Sequence, residues 1–356
     1  MTGEQPATPS RIRAAGIHDV ARLAGVSVAT VSRSFTAPAS VATATRARVL
    51  AVAAELHYAP NRAARGLITG RTGNVGVIVP DLGNPYFHAV LKGAQARARR
   101  ADYAVFVADG QESAAEEESL INAMSKQVDG IVLCSSRLAP ARLAALDTTP
   151  TVVLLNRRVP GRPSVVVDSA DGMRQAVAHL AELGHRRCAF IPGPRRSWSN
   201  QQRQRGLRTA AAHHGIKVVA LGPVVPQFES GVQAADEVLD TGATAVLAYN
   251  DLVAVGILSR LAESGVRVPD ELSVVGFDDI PLAAMVTPSL TTVALPTMQA
   301  GETAVEVLLA RLEGAGELEP TTSKLPAALV VRNSTGPVPR GRQRASARAR
   351  GSGSAQ

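Results

Sequence analysis

Residues 17–35 read IHDVARLAGVSVATVSRSF, and this stretch decides the first part of the fold. Ile17, Val20, Ala21 and Ala24 recur at helical spacing, so one face of a short helix is apolar. Gly25 follows and suits the left-handed position after a helix end. Ser27 is placed to cap a second helix starting at Val28. Two short helices joined by about three residues, with glycine in the turn, describe a helix-turn-helix. On the second helix Val31 should face inward with Val20 and Ala24, leaving Val28, Ala29, Ser32 and Arg33 outward. A third helix is expected from about Thr43 to His57, with Val49, Leu50, Ala53 and Leu56 on its buried face.

The outward residues suit a reader of the DNA major groove. Arg33 can fork onto guanine O6 and N7, and Val28 and Ala29 offer apolar contact to thymine methyl groups. Thr30 and Ser32 carry hydroxyls suited to phosphate oxygens, which position the module without reading sequence. A plain helical packing domain would not need an outward Val-Ala pair beside an arginine. Next comes YAPNRAARGLITGRTG (58–73), in which Pro60 stops the preceding helix and Asn61 can cap the short segment NRAARGL. That segment is too short to be stable alone and should fold only when held against DNA and a partner copy. Leu67 would then be an exposed apolar wedge for a minor-groove base step.

Charge distribution agrees. The 356-residue chain carries a net +8. Residues 1–72 hold nine arginines and three acids, a net +6, and residues 337–356 hold five arginines and no acid. Taking +6 and +5 from +8 leaves −3 for residues 73–336, a mildly acidic body between basic ends. A basic terminal module is the footprint of a polyanion partner. The tail PRGRQRASARARGSGSAQ is low-complexity and needs no fold. No apolar run approaches the roughly 18–20 residues that span a bilayer, and the first residues lack the apolar core of a secretory signal. Cys134 and Cys188 are too few for a disulfide framework, and both sit in apolar strand runs as core residues. A reducing cytoplasm is the expected compartment.

From residue 73 short apolar runs alternate with helix-length segments: VGVIVPD (75–81), YAVFVADG (103–110), GIVLCSS (130–136), TVVLLNRR (151–158), CAFIPG (188–193), AVLAYND (245–251) and LSVVGFDD (272–279). Such alternation implies parallel sheets covered by helices, and the length suits two doubly wound halves. Ligands in these folds bind beyond the carboxyl ends of the strands. Asp81, Asp109, Asn156, Asp168, Asn250 and Asp278 follow or close such runs. Each alone is a candidate turn or cap residue; together they suggest a cleft for a polyol or sugar, with Tyr86, Phe87, Trp198 and Phe277 as candidate rings. Neither His213-His214, the adjacent pair near a helix end, nor any other cluster supplies a metal site, and no cofactor motif, P-loop, HExxH or GxSxG sequence is present.

The run DVARLAGVSVATVSR followed by YAPNRAARGL resembles the lactose-repressor/galactose-repressor (LacI/GalR) family of bacterial transcription regulators, and the likeness extends from about residue 17 to residue 336. The resemblance implies that Val28, Ala29 and Arg33 read bases, that Thr30, Ser32, Thr45, Tyr58 and Asn61 meet the DNA backbone, and that Leu67 levers into the operator's central step. It implies a body like the periplasmic sugar-binding proteins, two lobes joined by three crossovers. DLGNPYF (81–87) would line the cleft from the first lobe, and Arg203, Asn250 and Asp278 would meet the effector from the second. Asn156-Arg157 occupies a pair that is more often Asp-Arg in relatives, which removes a charge from the first lobe's wall. Gly16 replaces a threonine cap, Ala42 replaces a serine cap at an expected loss of about 1 kcal/mol unless Thr43 or Ser40 substitutes, and Gly66 weakens the hinge segment.

The expected fold is an N-terminal all-α helix-turn-helix domain plus an α/β, two-lobed, type I periplasmic-binding-protein-like effector domain of doubly wound parallel sheets. The expected divisions are a disordered N-terminus (1–16), the helix-turn-helix (17–60), the hinge helix and linker (61–72), the effector and dimerisation domain (73–336) and a disordered basic tail (337–356). Lobe 1 would take about 73–167 and 296–322, lobe 2 about 168–295 and 323–336. The DNA-binding set is Val28, Ala29, Thr30, Ser32, Arg33, Thr45, Tyr58, Asn61, Arg62 and Leu67. The effector-binding set is Tyr86, Phe87, Asn156, Arg157, Trp198, Arg203, Asn250 and Asp278, with no metal and no cofactor. The expected function is ligand-controlled transcriptional regulation, most simply repression, by a cytoplasmic homodimer on double-stranded operator DNA, with a sugar-like effector and no membrane partner. A purine or nucleoside effector, a transport receptor and a sugar enzyme are the alternatives.

Overall fold

The computed structural model describes residues 15–58, 70–146, 150–314 and 322–338, which fall into two compact units meeting in sequence at Thr72/Gly73. The first unit is three helices. Helix α1 (Ile17–Ala24) starts at Gly16, whose N–H donates to Asp19 at 2.9 Å, and ends at Gly25 with φ of 63°. Only a residue without a Cβ takes that left-handed turn at no cost. Ser27 caps α2 (Val28–Thr36) by accepting from the Thr30 N–H. Helix α3 (Thr43–Glu55) has no side-chain cap: Ala42 cannot supply one, and Ser40 gives its hydroxyl to the Ala37 carbonyl. Val20, Ala21, Ala24, Val31, Val49 and Ala53 form the core. Two arginines tie this small core together. Arg48 donates to the Ala24 carbonyl at the end of α1, and Arg46 to the Ser34 carbonyl in α2.

The second unit holds two sheets of identical winding. The first half runs β1 (Asn74–Val79), α4 (Pro85–Arg100), β2 (Ala104–Asp109), α5 (Ala114–Met124), β3 (Gly130–Cys134), α6 (Pro140–Ala144), β4 (Thr151–Leu155) and β5 (Ser164–Val167). The second runs α7 (Ser169–Glu182), β6 (Arg187–Ile191), α8 (Trp198–His214), β7 (Lys217–Ala220), α9 (Phe228–Asp240), β8 (Ala245–Ala248), α10 (Asp251–Glu263), β9 (Ser273–Asp278), α11 (Pro281–Met285) and β10 (Thr291–Ala294). Then α12 (Thr297–Leu312) and β11 (Thr322–Leu325) return to the first half, and β12 (Ala328–Val330) to the second. The strand orders are β2-β1-β3-β4-β5-β11, all parallel, and β7-β6-β8-β9-β10-β12, parallel except for β12. Each is the 2-1-3-4-5 doubly wound order, in which the chain reverses beside the first strand and opens a crevice at the strand ends.

All seven apolar runs are strands, and all but the edge strand β2, which leaves Phe106 and Val107 exposed, are buried almost throughout. Because β11 pairs with β5, the third crossover between lobes falls at residues 326–327. This corrects the boundary read at 322/323. Helix pairs close to backbone contact: a Cβ on Gly206 of α8 would sit 2.1 Å from the Ala170 carbonyl oxygen of α7. Asn61, Arg62, Gly66 and Leu67 of the hinge, residues 1–14 and residues 339–356 lie outside the described residues. Among the described residues no helix is long and apolar enough to cross a membrane.

Candidate effector cleft and DNA-reading surface

On α2, Val31 is fully buried, Ala29 and Arg33 are exposed, and Val28, Thr30 and Ser32 are half-buried. The helix therefore turns one side to the core and leaves Arg33, with Ala29 one turn before it, facing solvent. The Arg33 guanidinium rests on the Ala29 carbonyl at 3.3 Å. Thr45 lies half-buried near the start of α3. Tyr58 packs edge-on against Phe35, ring centroids 6.1 Å apart, and this burial raises its phenol pKa.

In the second unit, a cleft of about 360 Å³ opens where the strand ends of both sheets converge. Tyr86 and Phe87 enter from the start of α4, which Asn84 caps by accepting the Tyr86 N–H. Asn156 follows β4; its amide donates to the Tyr86 hydroxyl at 2.6 Å and its oxygen accepts from the Val167 N–H. Its φ is +54°, a left-handed conformation that asparagine tolerates better than most residues. Asparagine here thus satisfies the backbone and ties β4 to β5.

The opposite wall is built on Arg203 of α8. Its guanidinium lies 3.7 Å from the Phe277 ring centroid and 4.6 Å from that of Tyr249. It donates to Asp278 Oδ1 at 3.0 Å and to the Tyr249 carbonyl. Asp278 closes β9 in a strained conformation with φ of 120°. Burial pushes its carboxyl up to about 7, against the opposing pull of Arg203. Arg203 and Asp278 both belong to the second lobe, so this ion pair does not bridge the cleft. Asn250 caps α10 through the Val253 N–H, donates to the Pro226 carbonyl and lines the cleft.

Six of the eight expected effector residues are brought together here: Tyr86, Phe87, Asn156, Arg203, Asn250 and Asp278. Two are not. Arg157 is buried beside the cleft, donating Nη2 and Nη1 to the carbonyls of Leu138 and Arg196 and keeping Nε without a partner. Trp198 is the first residue of α8, half-buried, and its ring does not line the cleft. Of the other strand-end acids, Asp81 and Asp109 accept loop N–H groups, and Asp168 caps α7 and pairs with Lys324. These are the turn and cap roles such residues usually take.

Glu112 and Arg137 were missed. They follow β2 and β3 and meet as a two-pronged pair, Nε to Oε2 at 2.6 Å and Nη2 to Oε1 at 2.8 Å. The strand-end rule that singled out Asn156 applies equally to them when it is extended one or two residues past each run. Ser135, Ser199, Tyr249 and Asn84 complete the polar lining. Among the described residues no group of histidine, cysteine or acids could hold a metal ion.

Comparison with known proteins places both units. Residues 16–61 match the model for "Bacterial regulatory proteins, lacI family", and residues 177–335 match the "Periplasmic binding protein-like domain". The repressor CytR of Escherichia coli strain K12 is 34% identical over 336 residues, 92% of this chain and 98% of CytR. The CelR regulator, solved as a cellobiose complex, is 32% identical with a TM-score of 0.67, covering 90% of this chain and 99% of that one. The Lac repressor dimer bound to operator and the anti-inducer ONPF is 29% identical with a TM-score of 0.80, covering 91% of this chain and all of that one.

Proposed function

The chain belongs to the lacI family of bacterial regulatory proteins, DNA-binding regulators rather than enzymes, and we propose that it represses carbohydrate-utilisation genes under the control of a sugar-like effector. The observation that carries the sugar reading is the clamping of Arg203. A nucleobase binds by stacking on open ring faces, whereas Phe277 lies beneath the guanidinium, 1% exposed, Tyr249 packs against both Arg203 and Gly193, and Tyr86 and Phe87, 6% and 5% exposed, stand edge-on to each other. What the cleft offers is hydrogen-bonding edges: carboxylates, amides, guanidinium N–H groups and hydroxyls, the set that matches vicinal hydroxyls. CelR, so similar over its length, is a cellobiose complex.

The DNA target is a near-palindromic operator, read by two copies of α2 in a homodimer. Support for the dimer comes from apolar side chains left in solvent: Phe106 and Val107 on β2, the edge strand of the first sheet, and Leu282 and Met285 on α11. Exposed apolar edges of this kind ask for a partner. Val28, Ala29 and Arg33 read bases; Thr30, Ser32, Thr45, Tyr58, Asn61 and Arg62 hold the backbone; Leu67 enters the minor groove. Residues 61–72 act as the hinge between reader and effector domain, and a chain that works on the chromosome works in the cytoplasm.

Fluorescence anisotropy on labelled duplexes tiled from the DNA flanking its gene tests this. One near-palindromic tile should bind far more tightly than the rest and weaken steeply with salt. Adding the right sugar should move that affinity about tenfold, worth about 1.4 kcal/mol. Uniform weak binding that no sugar alters, or a response to nucleosides alone, would overturn the carbohydrate reading.

A further inference from the structure

Among the described residues that line the cleft, four side chains are charged, and they form two ion pairs. On the first lobe Arg137 is 5% exposed and locked to Glu112 by two parallel hydrogen bonds, with Nη1 given to the Ser135 carbonyl. On the second, Arg203 is 4% exposed, gives Nη2 to Asp278 and Nη1 to the Tyr249 carbonyl, and keeps Nε without a partner. Two guanidiniums and two carboxylates sum to zero. No lysine or histidine joins the lining, so no cation is left without its own anion.

This balance discriminates between ligands. Arginine recognises a phosphate or carboxylate with the same two-pronged geometry that Arg137 already spends on Glu112. A ligand anion would have to displace that partner, and would lie against Glu112 and Asp278, where like charges repel. A hydroxyl meets no such obstacle. It donates to the lone pairs that the carboxylates keep free and accepts from guanidinium N–H groups not yet engaged.

We infer that the effector is an uncharged polyhydroxylated molecule, and that Glu112, held by Arg137, is the first-lobe residue that rejects its phosphorylated or acidic counterpart. This rests on the carbohydrate reading and narrows it. Glu112 accepts a hydroxyl of the ligand and at the same time keeps Arg137 from serving as an anion site.

The test is thermal unfolding of the full chain at pH 8, above the value near 7 to which burial raises Asp278. The probes are glucose, galactose, ribose, xylose and cellobiose, the sugar phosphates and uronic acids derived from them, uridine and adenosine, and inorganic phosphate against chloride at equal ionic strength. A neutral sugar should raise Tm, while its phosphate ester and inorganic phosphate should not. Glu112→Gln keeps the shape but leaves Arg137 without its anion. It should bind the neutral sugar at least tenfold more weakly and gain a rise in Tm from inorganic phosphate. Asp278→Asn does the same to Arg203 and serves if the first variant fails to fold; the wild-type comparison decides if both fail. A phosphate ester that stabilises the wild type more than its parent sugar would overturn the inference and leave the carbohydrate reading standing. Glu112→Gln folding normally but gaining nothing from phosphate would overturn the role of Glu112. Stabilisation by nucleosides alone, or by no probe, would remove the carbohydrate reading and the inference with it.

Discussion

Arg33 and Asp251 show how much one side chain can carry in this protein. Arg33 stands in solvent on α2, its position fixed by the burial of Val31 and Val20 behind it. Arg33→Ala should weaken operator binding by about 1–3 kcal/mol while changing affinity for a scrambled duplex far less. Anisotropy against both duplexes measures the difference; equal losses on both would make Arg33 a phosphate contact only. Asp251, the first residue of α10, accepts from the Thr292 hydroxyl at 2.5 Å and the Ile280 N–H at 2.8 Å, beneath Gly276. Burial raises its pKa to about 6 from an ordinary 3.8. The folded state therefore holds this proton more tightly than the unfolded chain. Its contribution is fully favourable below about 4 and is lost as pH rises through about 6. Asp251→Asn removes the titration, so its Tm should fall less than the wild type's between pH 4.5 and 6.5. Parallel melting curves would refute the assignment. At this scale the sequence was legible where a residue's role follows from its neighbours, as with Gly25 and Ser27. It misled where a side chain has two uses: Asn156 reads as a lost charge, yet its left-handed backbone explains it.

At the scale of elements, helix caps and strand burial carry the account. Helix α3 starts at Ala42 with no side-chain cap, and neither Ser40 nor Thr43 takes over. Ala42→Ser should stabilise the DNA-binding unit by about 1 kcal/mol, read as a raised denaturation midpoint; no change would mean water already satisfies the free N–H groups. Six of the seven strands visible in the sequence are buried almost throughout, the exception being β2 at a sheet edge. Five were not visible. Strand β7 (KVVA) lies at a sheet edge and is half-exposed, and β11 (TSKL) and β12 (ALV) are short and lean on a neighbour's register. β5 and β10 are four residues each, the latter opening on two threonines. Strands so short are defined by pairing, which a single chain's local pattern does not contain. Helix α12 returns to the first lobe from the second, as the expected division of 296–322 to lobe 1 has it; that expectation rests on the family resemblance, since no local pattern contains the connection.

At the scale of the whole molecule, the two sheets repeat one winding and aim their strand ends at one cleft, so a ligand there touches both lobes at once. Such a ligand favours whichever lobe arrangement fits it better, and can act on DNA only through that difference. A regulator built this way should couple its cleft to its operator. The most direct measurement is the operator dissociation constant with and without saturating sugar, paired with the sugar dissociation constant with and without saturating operator. Both ratios should be equal and at least about tenfold, since linkage makes the coupling reciprocal. A sugar that binds the cleft while leaving operator affinity unchanged would contradict the account.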